Sequence, residues 1–89
     1  MQLKLTIEMW QKGKWFIARC PELDIVSQGE SKDEARQNLN EVIAIQFEQM
    51  VESGTLEDYL IECGYAREND MFVPKIEMVA LERSMLEVA

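Results

Sequence analysis

Leu3, Leu5, Ile7 and Met9 alternate with Lys4, Thr6 and Glu8, so every second side chain near the N-terminus is apolar. A period of two is the spacing of side chains along a strand, where it separates a buried face from a polar one. Residues 3–9 therefore read as a half-buried strand. Gln11-Lys12-Gly13-Lys14 follows as a turn, with Gly13 free to take a positive φ, and Trp15 to Cys20 reads as the returning strand. A two-residue loop at Lys12-Gly13 pairs Met9 with Phe16, Ile7 with Ala18 and Leu5 with Cys20 on the apolar face. The other face then carries Trp10 opposite Trp15, Glu8 opposite Ile17 and Thr6 opposite Arg19. Turn and alternation agree, since a slip of one residue would mix the two faces.

Pro21 has no N–H for a ladder and ends the second strand. Leu23 to Ser27 reads as a short third strand. Ser31 followed by Glu34 forms a capping-box pattern. Ala35, Leu39, Val42, Ile43, Gln46, Phe47 and Met50 then recur at helical spacing, up to the terminating Ser53-Gly54. This helix of about 21 residues spans roughly 32 Å, close to the roughly 30 Å of the first strand, so it can lie along the apolar sheet face. Thr55 with Asp58 opens a second short helix that Gly64 ends. Asn69-Asp70 is a turn signal, and Phe72 to Leu81 reads as a last strand with Ile76, Met78 and Ala80 on one side. Pro74 inside that run favours a sheet edge. The expectation is one domain over residues 1–89, a two-layer α+β fold of order β-β-β-α-α-β. Its antiparallel, hairpin-based sheet carries the long helix on one face.

The chain has 89 residues, none of them histidine. That removes His-dependent triads, His-liganded zinc and an imidazole pH switch. Cys20 and Cys63 lie too far apart for a redox pair and are too few for a Cys₄ zinc site, so both read as reduced core residues. No cofactor is called for. No secretory h-region or membrane-length apolar run is present, which makes a cytoplasmic, soluble setting the expectation. Seventeen acidic against nine basic residues give a net charge of −8. Such a surface repels phosphate backbones and suits a basic partner, although acidity also serves solubility alone.

Catalysis would have to rest on carboxylates. Glu8 and Asp24 are the acids within the first three strands, with Glu22 at a margin, and a two-metal clamp needs more convergent ligands than these. Trp10 and Trp15 carry more information, because both project from the face that the helix leaves bare. They read either as a cross-strand aromatic pair or, with Ile17 and Glu8 beside them, as an interaction surface. The acids of the helices, such as Glu41, Glu48 and Glu57, read as a solvated face. Pro74, Ile76 and Met78 mark the last strand as an edge through which two copies could pair, giving a homodimer or a larger even assembly.

The run from Ala18 to Ala35, containing Cys20-Pro21-Glu22-Leu23, Ser27-Gln28-Gly29-Glu30-Ser31 and Glu34-Ala35, strongly resembles the core of HicB-family antitoxins. Asn38-Leu39 fits the same pattern, and the likeness extends over about residues 1–52. The resemblance implies a partial ribonuclease H-like fold without nuclease activity. It also implies a partner, a small basic HicA-like toxin that cleaves messenger RNA and is neutralised by occlusion. Many family members add a C-terminal DNA-binding segment. Here eight acidic and apolar residues follow Leu81, so autonomous nucleic-acid binding is not expected. Two further functions stand beside the antitoxin. One is a homo-oligomeric interaction or structural protein of the same fold without a toxin, and the weakest is a metal-dependent hydrolase.

Overall fold

A computed structural model describes all 89 residues. The chain folds as α+β, with two small sheets and two helices, and the long helix packs on a sheet. Strands β1 (Gln2–Leu3), β2 (Glu8–Lys12), β3 (Trp15–Cys20) and β4 (Ile25–Gly29) precede helices α1 (Lys32–Ser53) and α2 (Leu56–Glu62), and β5 (Tyr65–Glu68) and β6 (Met71–Pro74) follow. The order is thus β-β-β-β-α-α-β-β, with one strand more at each end than the sequence pattern suggests. One sheet runs β2-β3-β4, all antiparallel; the other runs β1-β6-β5, with β1 parallel to β6.

The first predicted strand is split. At Thr6 the backbone N–H and the hydroxyl both donate to the Glu22 carboxylate, at 3.0 and 2.7 Å. The ladder is interrupted there, so β1 pairs to one side and β2 to the other. The hairpin keeps its predicted faces but not its register. Its loop is Gly13-Lys14, with Lys12 opposite Trp15 and Met9 opposite Ala18, two residues away from the expected pairing. Gly13 supplies the positive φ, at +61°, in the first loop position, as in primed two-residue turns. A shift of two conserves side-chain parity, so the apolar face survives. The tryptophans are not opposite each other: Trp10 faces Ile17 and Trp15 faces Lys12.

The third strand begins at Ile25 rather than Leu23, because Pro21 to Asp24 form turns. Asp24 closes that turn at φ 54°, a left-handed conformation that Asp tolerates better than most residues. Leu23 is buried within the turn instead of in a ladder. Ser31 caps α1 by accepting from the Glu34 amide at 3.1 Å, and Gly54 ends the helix at φ 73°. At α2 the predicted box is absent. Thr55 makes no side-chain cap bond and its hydroxyl lies 2.8 Å from that of Ser53 instead. The predicted last strand becomes the second arm of a hairpin turned at Asn69-Asp70, and it stops at Pro74. Pro74 is buried at the end of the central strand of its sheet, not at an edge. Residues 75–89 have no regular structure.

The core joins Ala18, Cys20 and Ile25 of the hairpin sheet to Ala35, Leu39 and Ile43 of α1, then to Leu56, Leu60, Tyr65 and Phe72. Helix and sheet approach closely at Gly29, where a Cβ would lie 2.7 Å from the Ala35 amide nitrogen. Asn38 fastens the same junction by donating to the Gln28 carbonyl at 2.9 Å. No helix is long and apolar enough to cross a membrane.

Candidate protein-interaction face

Because α1 covers the inner face of β3 and β4, residues of opposite parity point outward with no layer above them. The register places them in cross-strand rows: Glu8, Arg19 and Val26; Trp10, Ile17 and Gln28; Lys12 and Trp15. Trp10 and Val26 leave 56% and 59% of their surface exposed, and Trp15 leaves 37%. Large apolar side chains held open on one rigid sheet face are the composition of a docking surface.

Glu8 organises its end of this face. One carboxylate oxygen accepts from the Trp10 indole N–H at 3.0 Å and from Arg19 at 3.5 Å, while Arg19 also reaches Asp24 at 3.5 Å. The Glu8 side chain is mostly buried by these partners, so it orients Trp10 and is not a free carboxylate. At the other end, the Lys14 ammonium sits 5.8 Å from the Trp15 ring centre, a cation–π distance.

Of the residues singled out from sequence, Glu8, Trp10, Trp15 and Ile17 share this face. Pro74, Ile76 and Met78 do not: Pro74 is buried, and Ile76 and Met78 lie in the irregular segment after β6. Arg19, expected as the polar rim of this patch, lies on the face, and Val26, which was not among the candidates, completes it. The parity of Ile25-Val26-Ser27 marks Val26 as outward once Ile25 is inward. The helical acids fall on the other layer: Glu34, Glu41, Glu48, Glu52, Glu57, Asp58 and Glu62 are all exposed there. The helical acids and the aromatic anchor are therefore separated, and the charges nearest the tryptophans are Glu8, bonded to the Trp10 indole, with Lys12, Lys14 and Arg19.

The remaining reactive groups point to structure. Burial pushes the Cys20 thiol up to about 11, so at neutral pH it is a protonated thiol and a poor nucleophile. Cys20 is 0% exposed and Cys63 is half-buried, and neither forms a disulfide. No three Cys, Asp or Glu side chains converge where they could hold a metal ion. Compared with protein-family models, with curated proteins and with solved structures, the chain finds no match.

Proposed function

We propose that this chain is a cytoplasmic antitoxin-like binding module, similar to HicB, that neutralises a basic, mRNA-cleaving HicA-like toxin by covering it. The observation that carries this reading is the uncovered outer sheet face, where Trp10, Trp15 and Val26 are exposed and Ile17 lies half-buried among them. Tryptophan in a position that a partner can desolvate is the commonest binding anchor. The net charge of −8 adds a long-range attraction for a basic partner and disfavours phosphate backbones, so the chain binds protein and not nucleic acid on its own. The run from Cys20 to Ala35 supports the family reading from the sequence side.

The mechanism is occlusion and needs no reacting group on this chain. The toxin must expose a cationic surface to hold RNA, and a domain seated on that surface excludes the substrate by volume and by charge. The test is co-purification of the chain with a HicA-like toxin, followed by an RNA-cleavage assay at rising chain concentration. A stable complex and loss of cleavage are expected. Undiminished cleavage in the presence of excess chain overturns the proposal.

A further inference from the structure

We infer that two copies of this chain exchange their C-terminal arms, residues 76–81 of one copy adding as a strand to the open edge of β2 in the other. This inference stands on different observations from the proposed function and does not depend on it.

The arm is the first observation. Beyond Pro74 the chain leaves the domain, and the whole molecule, arm included, measures 52 Å along its longest axis against 28 and 18 Å along the others. Ile76, Val79, Leu81, Met85, Leu86 and Val88 each expose 74% or more of their surface. One ion pair, Lys4 to Glu77 at 2.8 Å, joins the arm to the sheet, and both groups are largely in water, where such a pair adds little. So much contiguous apolar surface on one segment marks a partner site.

The edge is the second observation. β2 pairs with β3 and with nothing else, so half of its backbone N–H and C=O groups face outward along Glu8–Lys12. An open edge of this kind is a template for another strand. The chain's own arm is turned away from it. In the β1–β6 register Gln2 lies opposite Met71, and carried forward that register would bring Glu77 beside Glu8, a like-charge pair. Pro74 has no N–H with which to continue the ladder, and the Lys75 N–H bonds the Gly64 carbonyl at 2.9 Å on the opposite side. The arm and the edge thus remain unpaired within one copy.

Length and charge identify the occupant as a second copy. Six residues of arm match the five of β2. An antiparallel arrival sets Glu77 at the Lys12 end and Leu81 at the Glu8 end, replacing the like-charge pair with an opposite one. It also lays Val79 against Trp10 in the middle of the strand. A two-fold axis makes the exchange reciprocal, each arm filling the other copy's edge.

The experiment is sedimentation equilibrium of the full chain with isotope-mixed NMR of labelled and unlabelled copies. The expected mass is twice the 10.4 kDa of the chain, with intermolecular NOEs from the Val79 and Leu81 methyls to the Trp10 indole. Val79→Glu with Leu81→Glu, both outside the core, should weaken the dimer about tenfold or more, because the first removes the apolar contact with Trp10 and the second sets a like charge opposite Glu8. The far-ultraviolet circular dichroism should stay unchanged in that variant. A chain that is monomeric at millimolar concentration, a dimer indifferent to the double substitution, or arm-to-Trp10 NOEs that are purely intramolecular would each overturn the inference.

Discussion

The Tyr65 hydroxyl donates to the Lys4 carbonyl at 2.9 Å, across 61 residues of sequence. In the parallel β1–β6 ladder the Gln2 and Lys4 amides donate to the Asp70 and Phe72 carbonyls, so the Lys4 carbonyl awaits the N–H of residue 74. Residue 74 is a proline and has none. Tyr65, 1% exposed, supplies the missing donor from the neighbouring strand. Tyr65→Phe should therefore cost about 1–3 kcal/mol, the range for a buried acceptor left unsatisfied. Urea denaturation measures it, and a cost near zero would show that water fills the position.

Glu22 predicts an acid limb in the stability profile. Burial raises the free energy of its charged form, but the Thr6 hydroxyl and amide bonds outweigh it and hold the carboxyl below the usual range. A depressed native pKa contributes stability that is fully present above the unfolded value, about 4.3, and is lost as pH falls through the native one. Wild type should lose stability steadily as pH drops below about 5. Glu22→Gln should start less stable at pH 7, and its deficit should shrink over the same interval. Urea midpoints at a series of pH values give the comparison, and parallel curves for the two proteins would remove Glu22 from the acid limb.

Gly29 is constrained by space. A methyl group there would sit 2.7 Å from the Ala35 nitrogen and 2.9 Å from the Glu34 Cβ, so α1 must retreat from β4. Overpacking of this kind costs about 1–3 kcal/mol. Gly29→Ala should lower the melting temperature and loosen the Asn38–Gln28 junction, visible as faster hydrogen exchange in the first turns of α1. At Gly13, by contrast, a Cβ would meet nothing within 4 Å and the constraint is the φ of +61° alone.

What was legible in the sequence followed the range of the interactions. Ser31, Glu34 and Gly54 act on their own neighbours, so both ends of α1 could be placed from residue types. The hairpin faces were legible because parity survives a two-residue error in register. That same error paired Trp10 with Trp15, when the loop in fact centres on Gly13-Lys14. The split of the first strand was hidden because Thr6 answers to Glu22, sixteen residues away. Tyr65-Ala66-Arg67-Glu68 carries no alternation, and its pairing with Met71–Pro74 is fixed by the turn at Asn69, φ 56°. The alternation after Pro74 is real but has no partner within the chain, so periodicity alone read it as a strand. On the candidate face, parity was enough for Glu8, Trp10, Trp15 and Ile17, and it serves equally for Val26, because moving the start of β4 from Leu23 to Ile25 leaves its face unchanged.

The separation of tryptophans from helical acids gives the partner surface two distinguishable kinetic signatures. If the toxin seats on the outer sheet face, Trp10 and Trp15 are desolvated in the complex while Glu41 and Glu48 on α1 stay in water and act through the long-range field. A desolvated anchor governs the lifetime of a complex, and a remote charge governs the encounter rate. Trp10→Ala should thus weaken binding by about 2 kcal/mol or more, chiefly as faster dissociation. Its folding cost should stay below about 1 kcal/mol, because its cross-strand partner is Ile17 and it is more than half exposed. Glu41→Lys with Glu48→Lys should slow association, with an effect that fades as salt is added, and should leave dissociation almost unchanged. Surface plasmon resonance with a catalytically silenced toxin, at two salt concentrations, measures all four rates. The reverse pattern, with dissociation sensitive to the α1 pair and indifferent to Trp10, would move the toxin to the helical layer.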